Sequence, residues 1–178
     1  MSISKYMGVI MCSASLCAGE SKLQITSSAF NHGSPIPVTF TCEGANKAPA
    51  LSWTGIPKEA KTLALIVDDP DAPKQPEPWV HWVVFNIPSS VKGFRAPLDR
   101  RDELSDGTIQ GKNTSNNSGY DGPCPPPGNP PHRYFFKLYA LDVALPLKPG
   151  AIKEEVVKAM QGHILAQAEL MGTYQRKK

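Results

Sequence analysis

Two aspartates, two histidines and a cysteine stand at the ends of apolar runs in this chain, and these residue types bind ions and move protons. Asp69 and Asp71 lie two apart in Asp69-Pro70-Asp71-Ala72-Pro73, directly after the run Thr62–Val67 (TLALIV). Prolines stiffen that turn, so both carboxylates can face one ligand; an Asx-type turn is the plainer alternative. His81 sits inside Trp79-Val80-His81-Trp82. A histidine among buried aromatics must find hydrogen-bond partners, and taken alone it reads as a satisfied core histidine. The third cluster is Gly122-Pro123-Cys124-Pro125-Pro126-Pro127-Gly128, followed by His132-Arg133-Tyr134. Glycine permits close backbone approach and proline fixes loop shape, whether for a site or for a rigid connector. His132 and Tyr134 share one face of the following strand by period two, and Arg133 faces the other way. Arg133 therefore suits an ion pair, with one of the two aspartates as its partner, better than a ligand contact.

Three chemistries fit these groups. Imidazoles of His81 and His132, with loop N–H groups, can hold a phosphate or carboxylate. Asp69 can fix a histidine tautomer or pair with an ammonium group, so a zwitterion such as phosphoethanolamine is suited. Two histidines and two aspartates would also accept zinc. A hydrolase would need a nucleophile beside a His–Asp dyad, and Tyr134 and Cys124 are the nearby options. No GxSxG, HExxH or GxGxxG motif is present. A binding module comes first among these readings, and an enzyme is the alternative.

The elements that must position these residues read as strands. Leu23–Ile25, Val38–Cys42 and Leu51–Trp53 alternate apolar and polar residues. Thr62–Val67, Val80–Ile87 and Arg133–Leu141 are near-continuous apolar runs, as in strands covered on both faces. Between Ser89 and Pro131 little periodicity survives, and Tyr120 with the prolines predicts an ordered surface loop. One helix is predicted in Ala151–Gly162, with Ile152, Val156, Ala159 and Met160 as its apolar stripe and Glu154-Glu155 in its first turn. Gly162 ends it, and a final strand follows from Ile164, with a continuing helix as the alternative. The expected class is mostly β with one C-terminal helix, in a single domain over 20–178.

Composition sets bounds. The chain has 178 residues, 18 of them proline, and a formal net charge of +3. So small a charge, without a basic stripe, excludes an electrostatic nucleic-acid binder. No apolar run is long enough for a membrane span. Residues 1–19 have the grammar of a secretory signal, a charged start, a short apolar core and small residues at its end. That predicts export to an oxidising compartment such as the periplasm. A cytoplasmic chain with an N-terminal extension is the alternative. Cys12 and Cys17 fall in this segment, which leaves Cys42 and Cys124 in the body. These form one bridge or remain two buried thiols; their spacing excludes a CxxC site.

Taken together, DPDAP, the following His-Trp pair and GPCPPPG before His132-Arg133-Tyr134 resemble the phosphatidylethanolamine-binding protein family, which includes the Raf kinase inhibitor protein. FTCEG, LSWTGIP, HWVVFNIP, GYDGPCPP, HRYFFKLYALD and GHILAQAELMGTY match the style of its bacterial and archaeal branch. The resemblance covers about residues 23 to 175. It implies a large antiparallel sheet packed on a smaller one, a helix at one side, and a preformed anion pocket needing no metal or other cofactor. It implies lining by Asp69, Pro73, His81, Cys124, Pro125, His132 and Tyr134, with Asp71 and Arg133 as braces. It also brings the ends of the Cys42 and Cys124 segments together, and it implies a protein partner such as a kinase or peptidase. Cys124 stands where eukaryotic members carry glycine, and Lys74-Gln75-Pro76-Glu77 lacks their rim tyrosine.

Overall fold

The computed structural model describes residues 22–72, 76–95 and 97–177. The N-terminal segment with Cys12 and Cys17, and also Pro73, lie outside the described residues. Strands β1 (Gln24–Ser27), β2 (Leu51–Thr54), β3 (Thr62–Asp69), β4 (Trp79–Pro88), β5 (Gly93–Phe94), β6 (Ile109–Gln110) and β7 (His132–Leu141) precede helix α1 (Lys153–Met160) and strand β8 (Ile164–Tyr174). A five-stranded sheet runs β6-β4-β3-β7-β8 and a three-stranded sheet runs β1-β2-β5. Every strand pairing in them is antiparallel. No helix among the described residues is long and apolar enough to cross a membrane.

The unbroken hydrophobicity of β3 has a direct cause: all eight of its residues are buried. Leu63, Leu65 and Val67 pack between the two sheets with Trp53, Trp82 and Val84. Ala64 and Ile66 face the other way, against Phe85, Leu141 and the α1 residues Val156 and Met160. Each fully buried aliphatic side chain contributes about 1.5–3 kcal/mol, so β3 is the keel of the fold. Its last two residues, Asp68 and Asp69, fall on opposite faces by the same alternation.

Two irregularities in β4 bear on the site. Leu63 pairs with Ile87 and Leu65 with Val84, so β4 bulges around Asn86, whose φ is 54°. Asn86 exchanges two hydrogen bonds with the backbone of Leu145. Further along, Val67 pairs with Trp82 and Asp68 with Val80, which leaves His81 as the extra residue of a second bulge. Bulges re-aim side chains beside functional sites.

Sequence expectation and structure part at three places. Val38–Cys42 is no strand: Val38–Phe40 forms a 3-10 turn after Pro37. The Thr41 N–H and hydroxyl both donate to the Val38 carbonyl, and Val38 is 52% exposed. Its V-T-F-T alternation mimics a half-buried strand, but the threonine hydroxyl favours the local turn. Within α1, Val156 and Met160 are buried, whereas Ile152 caps the helix and is exposed. The Glu155 carboxylate accepts the Ile152 N–H instead. The 89–131 region also holds β5 and β6, each too short for a periodic signal. After Gly162, at φ 80°, the chain does enter a strand, β8, paired along β7 from Leu141–Ile164 to His132–Tyr174.

Candidate anion-binding site

A cavity of about 400 Å³ opens where β3, β4 and β7 end near one another. Asp69, His81, Cys124, Pro125 and His132 line it, so the three sequence clusters converge. A larger groove of about 690 Å³ runs beside Lys22–Thr26 and β8. It holds no histidine or cysteine, and we assign the chemistry to the smaller cavity.

Each catalytically capable side chain is held by the fold. Asp69 ends β3, where its Oδ1 accepts the Asp71 N–H at 2.8 Å and its Oδ2 accepts His132 Nδ1–H at 2.8 Å. The first bond is the Asx turn that Asp-Pro-Asp favours. Asp71 does not enter the cavity. It takes two hydrogen bonds from the Arg133 guanidinium, at 2.8 and 2.9 Å, and one from the Arg133 N–H. These bonds, against the penalty of burial, hold the Asp71 carboxyl below the usual aspartate range. Arg133 is thus a brace that ties the Asp69–Ala72 turn to the start of β7.

His81 Nδ1 lies 2.7 Å from the Asp121 carbonyl. A carbonyl only accepts, so Nδ1 carries the hydrogen. The backbone returns the bond: the Asp121 N–H donates to the His81 carbonyl. Burial pushes the His81 pKa below the ordinary 6.5, more than the Asp121 carbonyl and nearby carboxylates raise it. Tyr134 is 1% exposed and lies beneath the site, its ring edge-on to His81 with centroids 5.2 Å apart. It does not line the cavity. Its buried hydroxyl has no hydrogen-bond partner among the described residues, and burial first, then the charge of Asp69, pushes its pKa up.

Cys42 and Cys124 are joined by a disulfide, with Cα atoms 5.4 Å apart, and both line the cavity. The 3-10 turn, rather than a strand, brings Cys42 there. The Cys42 N–H donates to the Pro123 carbonyl, the Gly122 N–H to Asn46 Oδ1 and the Tyr120 hydroxyl to the Phe40 carbonyl. Gly122 sits so close that a Cβ would lie 2.3 Å from the Phe40 carbonyl oxygen, so only glycine fits.

The sequence reading did not identify Asp121, although it is the central strut. Burial would raise its pKa, but bonds from Arg100, Asn117 and Asn113 outweigh that and hold it low. Its signal was present in Gly119-Tyr120-Asp121-Gly122, a carboxylate between glycines just before the proline loop. Asn46, Trp79 and Ser115 complete the polar lining. The loop N–H groups expected to cradle an anion are mostly engaged. Those of Asp121 and Gly122 bond within the protein, the four prolines between 123 and 127 have none, and Cys124 keeps its own free among the described residues.

These states have a pH consequence. The unfolded chain takes up a proton on His81 near pH 6.5, which the native chain resists to lower pH. Stability should fall as pH drops below about 6.5, because the unfolded state then binds more protons. A second loss should follow below about pH 4, as Asp71 and Asp121, both held low, become protonated. Urea midpoints against pH check this. His81→Gln should flatten the upper part of the curve, and an unchanged slope there would contradict the assignment.

Two antiparallel sheets with one helix and an imidazole-lined cavity at their strand ends define the class. The profile of the phosphatidylethanolamine-binding protein family matches residues 26–175. A UPF0098 protein of Methanothermobacter thermautotrophicus is 52% identical over 154 residues, covering 86% of this chain and 99% of that one. The crystal structure of a phosphatidylethanolamine-binding protein homologue from Chlamydia trachomatis has a TM-score of 0.80 at 43% identity, over 88% of this chain and 99% of its own. That of Escherichia coli YbcL, described as a member of the mammalian family, has a TM-score of 0.82 at 34% identity, over 88% and 100%. The chain belongs to the phosphatidylethanolamine-binding protein family.

Proposed function

We propose that this protein is a binding module for a small anion or zwitterion, phosphate or a phosphoethanolamine-like headgroup, and not a hydrolase. One observation carries the reading. His81 and His132 line one cavity, each anchored through Nδ1, and neither Nε2 has a partner among the described residues. Family membership supports the ligand class. The two nucleophiles that a hydrolase could use are poorly placed: Cys124 is bonded to Cys42, and Tyr134 is buried outside the cavity. For the metal alternative, both Asp69 oxygens already accept hydrogen bonds. Among the described residues no group of three or more His, Cys, Asp or Glu is placed to hold an ion. We read the chain as exported, since a disulfide persists in oxidising compartments. A protein partner such as a kinase or peptidase belongs to the same reading.

Calorimetric titration of phosphoethanolamine into the wild type, His81→Ala and His132→Ala tests this reading. Each lost charge-assisted contact costs about 1.5–3 kcal/mol, so each variant should bind about tenfold or more weakly while keeping its circular dichroism. Equal affinity in all three would reject the site.

A further inference from the structure

We propose that the cavity selects a singly protonated phosphate monoester or dihydrogen phosphate, whose oxygen anion pairs with a charged His132 and whose P–OH donates to His81 Nε2. This rests on the binding-module reading above and names the ligand form that the site takes. Both rings meet a hydrogen-free group at Nδ1, the Asp121 carbonyl for His81 and the Asp69 carboxylate for His132. Each Nδ1 therefore carries the hydrogen, and in the neutral ring Nε2 is an acceptor.

The two rings differ in counter-charge. His132 lies 2.8 Å from a carboxylate in a nearly closed setting, 4% exposed, so a positive charge there is balanced. His81 hydrogen-bonds to a neutral carbonyl and no carboxylate, and its burial outweighs the carboxylates nearby, so it remains the acceptor. The facing groups agree. Around His81 stand Asp69 and, further off, Asp68 from β3, Asp121 from the loop and Tyr134 from β7. Around His132 stand Asp69, then Asp71 with its partner Arg133, and on β8 Tyr174, whose hydroxyl bonds Glu43. Arg176 sits beside Cys124, next to Glu43.

No lysine or arginine is among the described lining residues, whereas Asp69 and Asp121 are. A dianion is repelled by both carboxylates. A monoanion is balanced by one imidazolium and offers the hydrogen that His81 lacks. Sulfate has the same tetrahedral shape without that hydrogen, and a phosphodiester also lacks it.

Calorimetry on the full chain at constant ionic strength decides. The probes are inorganic phosphate, sulfate, phosphoethanolamine and glycerophosphoethanolamine. At about pH 6, phosphate should bind about tenfold or more tightly than sulfate, and phosphoethanolamine likewise over its diester. Phosphate affinity should fall by at least about tenfold per pH unit above neutrality, because the bound anion and the donating His132 ring each keep a proton. Sulfate or the diester matching its protonated counterpart overturns the proposal. So does a phosphate affinity that stays flat from about pH 6 to 9. Binding of phosphoethanolamine without inorganic phosphate overturns this inference alone, and failure of all four probes overturns the binding reading beneath it.

Discussion

Opening the Cys42–Cys124 bond should lower stability by about 4–5 kcal/mol, the largest single effect expected in this protein. The bond spans a sequence separation of 82 residues, so its loss returns a large conformational entropy to the unfolded chain. For a domain of this size that corresponds to a fall of about 8–20 °C in melting temperature. Melting the wild type with and without reductant, beside a Cys42→Ser/Cys124→Ser double variant, measures it. The double variant excludes effects of free thiols. Because both cysteines line the cavity and the Pro123 carbonyl is held by the Cys42 N–H, reduction should also weaken anion binding. A shift of less than about 3 °C would show that the contacts of the 40–46 segment with the proline loop already restrain the chain.

Replacing Asp68 should have the next largest effect. Its side chain is fully buried on the α1 face of β3, and it bridges Lys137 of β7 at 2.8 Å and Lys153 of α1 at 2.7 Å. Removing one member of a buried ionic cluster costs about 3–5 kcal/mol. The two lysines are partly exposed and can turn to water, so Asp68→Ala should lie near 3 kcal/mol by urea unfolding. Lys153→Met should cost less, because Asp68 keeps Lys137. Phosphate affinity should change by less than about threefold in both variants, since Asp68 faces away from the cavity that Asp69 enters and acts on His81 only through its charge. A cost below about 1 kcal/mol for Asp68→Ala would mean that the apolar contacts of Val156 and Met160 dock the helix unaided.

The contrast between Asp68 and Asp69 marks what the sequence made legible. Strand alternation places the neighbouring aspartates on opposite faces, and TLALIV announces its double burial, because both properties are local and periodic. The convergence of Asp69, His81 and His132 was accessible through motif order. So was the brace role of Arg133, by its parity against His132. Other features were hidden because they are decided by tertiary context. Cys42 reaches Cys124 through a 3-10 turn whose sequence alternates like a strand. His81 enters the cavity through a bulge that only the β3–β4 register reveals. Asp121 holds His81 through its backbone carbonyl, which any residue possesses, so that contact had no sequence signal, unlike the carboxylate that bonds Arg100, Asn113 and Asn117. Tyr134 shares a face with His132, yet it is buried and lies edge-on to the ring of His81, and parity along one strand says nothing of depth.

The central claim is that His81 and His132 together bind one phosphate through their Nε2 atoms. Long-range nitrogen–proton NMR spectra of the two imidazoles, recorded as phosphate is titrated in, test it most directly. The account predicts that Nε2 of both rings shifts along one saturating curve with a single dissociation constant, while Nδ1 of each keeps its hydrogen-bonded signature to Asp121 and Asp69. Phosphate binding detected by calorimetry with neither Nε2 resonance moving would contradict it.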